Sequence, residues 1–128
     1  MPMDATIDVA TAMTRDVLSV GPGHTLRQVA ELMASRRVGA VVVMDTDSSH
    51  VGICTERDIL RSIAAGEDPD IETAQNHQTT DVVMAAPKWT LVEAADAMKR
   101  GGFRHLVVVD GSHVVGIISV RDILAAWS

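Results

Sequence analysis

At 128 residues the chain has the size of one ordinary domain, or of two half-domains that share a core. Apolar residues make up 47% of it and aromatic residues only 2%, so the core must consist of aliphatic and methionine side chains. The formal net charge is −6, which argues against broad nucleic-acid binding, because a basic face supplies that affinity.

The cysteine count and the N-terminus indicate the compartment. One cysteine, Cys54, excludes an intramolecular disulfide framework and fits a reducing compartment. The N-terminal residues lack a basic region followed by an apolar run, and no apolar stretch approaches the roughly 18 residues that span a bilayer. We therefore expect a soluble, cytoplasmic protein.

The first elements are a short helical segment at residues 9–13 and a short strand at 17–20, which a Gly-Pro-Gly turn closes. Thr25 and Gln28 then form a capping-box pattern, in which the two side chains satisfy the first free amides of a helix. An apolar stripe at helical spacing follows, which consists of Leu26, Val29, Ala30 and Met33. These features predict an amphipathic helix.

Two strands and a second helix come next. The apolar, β-branched run at residues 38–44 predicts a strand buried on both faces, and a polar loop joins it to a strand at 51–54 in a hairpin. The next helix starts at Thr55 and ends near Gly66. Three of its residues are expected to face inward: Ile59, Leu60 and Ile63.

The second half of the chain repeats the first. The decapeptide at residues 51–60 returns 64 residues later with seven of ten positions identical. Thr90 and Glu93 repeat the capping box, and a second hairpin is predicted from strands at 103–109 and 114–118. The sequence therefore predicts an α/β (α+β) fold of two β-α-β-β-α repeats: repeat 1 at 1–66, a polar linker at 67–80 and repeat 2 at 81–128. A lone half would be marginally stable, so we expect the halves to pack together.

Each repeat carries a hydroxyl residue followed three positions later by an aspartate, Thr55 with Asp58 and Ser119 with Asp122. One interpretation is structural, because such a pair caps a helix and suits its dipole. The other is a ligand site, because a helix N-terminus with a hydroxyl can bind phosphate and a carboxylate can accept from a ribose. The spacing alone favours the first interpretation.

Arg104 and His105 stand where repeat 1 has Gly39 and Ala40. These polar residues enter an apolar strand and need a partner, so they predict either a solvent-facing strand end or a phosphate contact. The remaining histidines show no metal-ligand spacing, so no metal site is predicted. No nucleophile, base and orienting group stand together, and nothing argues for catalysis.

Three motifs carry a family resemblance: Asp-Val-Leu-Ser-Val-Gly-Pro at 16–22, Arg-His-Leu-Val-Val-Val-Asp at 104–110, and Gly-Ile-x-Thr/Ser-x-Arg-Asp-Ile-Leu at both Gly52 and Gly116. Over residues 9–127 the chain resembles a tandem pair of cystathionine β-synthase (CBS) domains, a Bateman module. The resemblance implies two repeats with pseudo-two-fold symmetry. It also implies a regulatory module that binds an adenosine-containing ligand without turning it over. This ligand is AMP, ADP or ATP, or in some members S-adenosylmethionine or a dinucleotide.

The resemblance also implies site residues, in clefts that draw on both repeats. In them the aspartate holds the ribose, the hydroxyl a phosphate and the apolar residues the adenine. One site would consist of Val20, Gly21, Val38, Gly39, Ala40, Ser119 and Asp122, with Arg104, His105 or Arg121 supplying a cation. The other would consist of Ala85, Ala86, Phe103, Arg104, His105, Thr55 and Asp58. Since repeat 2 has Met-Ala-Ala where repeat 1 has Ser-Val-Gly, unequal affinities are expected.

Small proteins of this family resemble homodimeric sensors that act on a separate effector protein. Two alternatives remain open at this point. The chain could be a structural interaction module without a ligand, or a detached regulatory subunit of an enzyme.

Overall fold

The computed structural model describes residues 6–45 and 51–127. The chain folds into two compact units of mixed α+β structure. The first unit is Leu18–Val82, and the second combines Val83–Ser128 with the N-terminal segment Met1–Val17. Residues 67–80, predicted as a linker, thus lie in the first unit, and the N-terminal segment lies in the second. Within residues 6–45 and 51–127, no helix is both long and apolar enough to cross a membrane.

The first unit contains a three-stranded sheet in the order β1-β2-β3. Strand β1 pairs parallel with β2, and β2 pairs antiparallel with β3, so that Ala40 lies opposite Thr55. Its elements are β1 (Ser19–Val20), α2 (Leu26–Arg36), β2 (Ala40–Met44), β3 (Val51–Thr55), α3 (Glu56–Ala64) and α4 (Ala74–His77). Helix α1 (Val9–Ala12) lies in the N-terminal segment. The described part of this unit therefore contains the predicted strand, helix, hairpin and helix in order.

The second unit has the same architecture, with a sheet in the order β4-β5-β6. Strand β4 is parallel to β5 and β5 antiparallel to β6, so that His105 lies opposite Ser119. Its elements are α1 (Val9–Ala12), β4 (Met84–Ala85), α5 (Leu91–Gly101), β5 (His105–Asp110), β6 (His113–Ser119) and α6 (Val120–Trp127). The predicted doubling of one supersecondary unit is confirmed.

The predicted strands are present, but β1 begins at Ser19 rather than at residue 17, and the central strands also begin two residues later than expected. For the central strands the backbone explains the difference in both units. Arg37, the residue that follows α2, adopts a left-handed conformation, and Val38 N then donates to Met33 O at 3.1 Å. Gly102 ends α5 in the same way, and Phe103 N donates to Met98 O at 3.2 Å. Val38 and Phe103 are therefore hydrogen-bonded to the ends of the helices and do not belong to β2 and β5. The predicted loop at 46–50 lies outside the described residues.

Each unit has its own aliphatic core. In the first unit the stripe of α2 packs with β2, and Ala74 of the predicted linker is fully buried among them. In the second unit the stripe of α5 packs with β5, and Val9 and Met13 of the N-terminal segment complete the core. Both units therefore recruit the segment that precedes the other repeat in sequence.

One prediction about the core is wrong. Ile59 of α3 is buried as expected, but Leu60 and Ile63 are 66% and 53% exposed. The buried stripe of α3 is formed by Ile59 and Ser62, three residues apart, and Leu60 and Ile63 lie on the neighbouring face. Helix α3 therefore exposes two large apolar side chains that the described part of its own unit does not bury.

Candidate functional site

Thr55 and Asp58 form a reciprocal cap at the start of α3. The amide of Thr55 donates to Asp58 Oδ2 at 2.8 Å, and the Thr55 hydroxyl donates to the same oxygen at 3.0 Å. In return, the amide of Asp58 donates to Thr55 Oγ1 at 3.3 Å. Both bonds to the carboxylate use Oδ2. Among the described residues none donates to Asp58 Oδ1, which leaves this oxygen available as an acceptor.

Ser119 and Asp122 form the equivalent cap at the start of α6. The amide of Ser119 donates to Asp122 Oδ2 at 2.9 Å, and the amide of Asp122 donates to Ser119 Oγ at 3.1 Å. The unused atoms differ from those of the first cap. Asp122 Oδ1 accepts a long bond of 3.4 Å from the hydroxyl of Thr14, whereas the Ser119 hydroxyl donates to no group within the described parts of the chain. This hydroxyl is available as a donor.

These hydrogen bonds confirm the capping interpretation for both pairs. The Thr25–Gln28 and Thr90–Glu93 boxes have the same geometry. The caps of α3 and α6 differ from these in their surroundings. Each lies directly after the second strand of a hairpin, opposite the first residue of the central strand. Gly39 O accepts from Glu56 N and Arg104 O accepts from Val120 N, both at 3.0 Å. Within each unit, the cap therefore adjoins the loop that leads into the central strand.

The other predicted site residues lie around these strands. In the first unit, Val20 and Ala40 are buried, Val38 and Gly39 are half-buried in the loop before β2, and Gly21 follows β1. The amide of Gly21 donates to His24 Nδ1 at 3.0 Å. In the second unit, Ala85 is buried; Ala86, Phe103 and His105 are half-buried; and Arg104 and Arg121 are exposed.

The electrostatic surroundings of the two caps differ. The first turn of α3 holds two acidic residues, Glu56 and Asp58, and the Glu56 carboxylate lies against Gly39, whose added Cβ would stand 3.2 Å from Oε1. The first turn of α6 holds only Asp122, because Val120 replaces Glu56. Both first turns carry an exposed arginine, Arg57 and Arg121, but Arg104 adds a second exposed cation beside the cap of α6. An anion is therefore better accommodated at the cap of α6 than at the cap of α3.

Cys54 lies in β3 directly before the first cap and is fully buried. Burial, with a further contribution from the negative charge of Asp58, raises the pKa of this thiol to about 12. A thiol that stays protonated at neutral pH is a poor nucleophile and a poor metal ligand. Cys54 therefore acts as a small apolar core residue.

Sequence reasoning missed the contribution of the segments that precede each repeat. Thr14 forms an isolated antiparallel bridge with Ile117, and Thr79 forms the equivalent bridge with Ile53. Thr14 and Thr79 thus occupy equivalent positions beside β6 and β3, and Thr14 reaches Asp122. The 65-residue spacing of these threonines matches the repeat and is the signal that could have identified them.

Comparisons with known proteins agree with this architecture. The family model of the CBS domain matches twice, at residues 7–65 and 75–128. The CBS domain-containing protein YhcV of Bacillus subtilis is 33% identical over 116 residues, which cover 90% of this chain and 81% of that protein.

Solved structures have the same fold. An uncharacterized conserved protein from Pyrococcus horikoshii superimposes with a TM-score of 0.88 at 28% identity, covering 97% of this chain and 94% of that one. The CBS domain protein PAE2072 of Pyrobaculum aerophilum, solved in complex with AMP, gives a TM-score of 0.82 at 31% identity, with coverages of 91% and 89%. The chain therefore belongs to the CBS domain family and contains two copies of the domain.

Proposed function

We propose that this protein is a non-catalytic regulatory module that binds an adenosine-containing ligand, with an adenine nucleotide such as AMP, ADP or ATP as the first candidate. The observation that carries the proposal is the unused polar atom at each cap, Asp58 Oδ1 and the Ser119 hydroxyl. A carboxylate oxygen suits a ribose diol, and a hydroxyl at a helix N-terminus suits a phosphate. The AMP complex of a 31% identical relative supports this ligand class.

In the proposal, Asp58 and Asp122 accept from ribose hydroxyls. The Ser119 hydroxyl donates to phosphate, and the Thr55 hydroxyl does so after giving up its bond to Asp58 Oδ2. The half-buried and buried apolar residues beside the central strands contact the adenine: Val20, Gly21, Val38, Gly39, Ala40, Ala85, Ala86 and Phe103. Arg104 and Arg121 supply positive charge, and His105 supplies a ring nitrogen for hydrogen bonding.

The two caps are proposed to bind with unequal affinity. Glu56 beside the cap of α3 repels a phosphate, whereas the cap of α6 has Val120 at that position and Arg104 as an additional cation that attracts one. We expect one tight and one weak site per chain.

A calorimetric titration of the untagged chain with AMP, ADP, ATP and S-adenosylmethionine tests the ligand class and its stoichiometry. If none of the four binds below millimolar concentration, the proposed ligand class is wrong.

A structural interaction module is the second candidate, and one observation favours it. The caps are satisfied by their own helices, so that neither pair needs a ligand for its stability. In that case ligands would leave the melting temperature unchanged, because only a ligand that binds the native state raises it.

The proposed module is a homodimer that transmits its ligand state to a separate effector protein. Exposed apolar side chains support an interface with a second copy: Leu60 and Ile63 of α3, Val92 of α5, and Leu124 and Trp127 of α6.

A groove of about 290 Å³ between α5 and α6 is lined by side chains that include Met98, Phe103 and Ile123. Apolar patches of this kind mark interaction surfaces. Sedimentation analysis should give a dimer for the wild type and a monomer for Leu124→Glu.

A further inference from the structure

A second group of polar side chains lies in the first unit, at the opposite end of α3 from its cap. Glu67 follows directly after Gly66, which ends α3 with a φ of +82°; Glu72 lies in the following loop, and His77 is the last residue of α4. The Nε2 atom of His77 is 2.7 Å from Glu72 Oε1 and 3.9 Å from Glu67 Oε1. One ligand atom from each of the three residues lies within 4.8 Å of the other two.

The backbone holds each of these residues in place. Glu67 N donates to Ser62 O at 3.1 Å, and Glu72 O accepts from Leu26 N at 2.9 Å. His77 belongs to α4, whose first residue, Ala74, is fully buried. The side chains of His77, Glu72 and Glu67 are 17%, 23% and 39% exposed, respectively. The cluster is therefore positioned by ordered structure and is open to solvent on one side.

A hydrogen bond between His77 and Glu72 does not account for Glu67. A single imidazole nitrogen faces two carboxylates, and its N–H can serve only the nearer one well. Among the described residues, neither Glu67 nor Glu72 forms an ion pair with a lysine or arginine. Two negative charges at this separation repel each other unless a cation lies between them. A multivalent cation would neutralise both.

We propose that Glu67, Glu72 and His77 bind a divalent transition-metal ion of the Zn²⁺ type. One imidazole nitrogen and two carboxylate oxygens are ordinary zinc ligands, and small side-chain movements bring them to the usual distances of about 2.0–2.2 Å. Ca²⁺ and Mg²⁺ fit less well, because they prefer all-oxygen shells with six or more ligands. With three protein ligands, the fourth position of a tetrahedral ion is left to water.

Such an ion would connect the end of α3 to α4 and so fix the segment between the two repeats. The ligands stand five residues apart, at positions 67, 72 and 77, and the turn after α3 brings them together. The sequence predicted no metal site because His77 stands at no familiar metal-ligand spacing from another histidine, a cysteine or an acidic residue. The ion would bind the native first unit and not the unfolded chain, which makes the melting temperature depend on metal concentration.

The test is calorimetric titration of the untagged full-length chain, stripped with EDTA, with ZnCl₂ and separately with CaCl₂. We expect one Zn²⁺ per chain and no comparable response to Ca²⁺. His77→Ala and Glu67→Gln should each weaken Zn²⁺ binding by at least about tenfold, as the loss of a metal ligand does. His113→Ala is the matched control, because His113 is an exposed histidine on β6 in the other unit.

Glu67→Gln keeps the test decisive if His77→Ala does not fold. The Glu67 carboxylate makes no hydrogen bond within residues 6–45 and 51–127, so that its amide should leave the far-ultraviolet circular dichroism unchanged. Zinc binding that survives Glu67→Gln unchanged, or that His113→Ala weakens equally, would mean adventitious surface binding and would overturn the proposal. Absence of zinc binding to the wild type would overturn it as well. Neither outcome depends on a nucleotide.

Discussion

The carbonyl oxygen of Thr14 lies directly over Gly116, and a Cβ built on this glycine would stand 2.9 Å from that oxygen. Thr14 and Ile117 exchange backbone hydrogen bonds of 2.8 and 3.0 Å, which bring the N-terminal segment across β6. Thr79 crosses β3 in the same way beside Gly52. A neighbouring backbone therefore approaches the glycine of the Gly-Ile-x-Thr/Ser motif in both units, and more closely at Gly116 than at Gly52.

Gly116→Ala should destabilise the protein by about 1–3 kcal/mol, because the added methyl group meets a backbone atom that is itself hydrogen-bonded. Gly23→Ala is the matched control, since nothing lies within 4 Å of a Cβ at that position. Urea unfolding of both variants measures the difference. Equal stability of the two variants would contradict the close approach of Thr14.

Gly52→Ala should cost less than Gly116→Ala. The backbone oxygen over Gly52 is farther away, at 3.2 Å from the added Cβ, and the other close neighbour is the flexible side chain of Gln78. That side chain can rotate, whereas the Thr14 carbonyl cannot move without breaking its bridge. Urea unfolding should rank the variants in this order, and the reverse order would show that the two units are covered differently.

Thr55→Ala should reduce the free energy of unfolding by about 1 kcal/mol, through the loss of the bond that Asp58 N donates to Thr55 Oγ1. Thr73 offers a matched control. It precedes α4 at the same cap position but makes no side-chain bond to the helix, so Thr73→Ala should cost much less. Similar losses for both threonines would mean that the cap of α3 contributes no stability of its own.

Cys54 should resist alkylation by iodoacetamide in the native protein at pH 8–9 and react rapidly in denaturant. Burial raises the pKa of this thiol from 9.0 to about 12 in the folded state. The stability that this shift confers is complete below pH 9 and is lost as the pH rises from 9 towards 12, because only the unfolded chain then releases the proton. Rapid labelling of the native protein would contradict the buried environment of Cys54.

The sequence predicted those features that depend on local chemistry. The caps at Thr25, Thr55, Thr90 and Ser119 are set by residues three positions apart, so that each could be recognised without knowledge of the fold. The repeat itself identified the strands, and the central strands begin late because a left-handed residue, Arg37 or Gly102, prolonged the end of the preceding helix.

Features that depend on distant contacts could not be predicted in this way. The apolar pattern of α3 did not reveal that Leu60 and Ile63 lie outside the core, because periodicity identifies an apolar face but not what covers it. Helix α4 escaped prediction since its polar sequence is held by the burial of Ala74 and by pairing near Thr25. The convergence of Glu67 with His77 depends on that same packing.

The most direct test of the nucleotide proposal compares aspartates at the two candidate sites with equivalent residues of the other capping boxes. Gln28 and Glu93 occupy the same third helical position as Asp58 and Asp122, one of each kind in each unit. Alanine at any of the four removes a cap bond, so that all four variants lose comparable stability. Only the aspartates carry a proposed ligand role.

Calorimetric titration of these four variants with AMP, or with whichever adenosine ligand binds the wild type most tightly, measures the difference. Asp58→Ala and Asp122→Ala should each abolish or strongly weaken one class of binding site, whereas Gln28→Ala and Glu93→Ala should bind as the wild type does. Unchanged binding in the double variant of Asp58 and Asp122 would contradict the central claim that these caps bind the ligand.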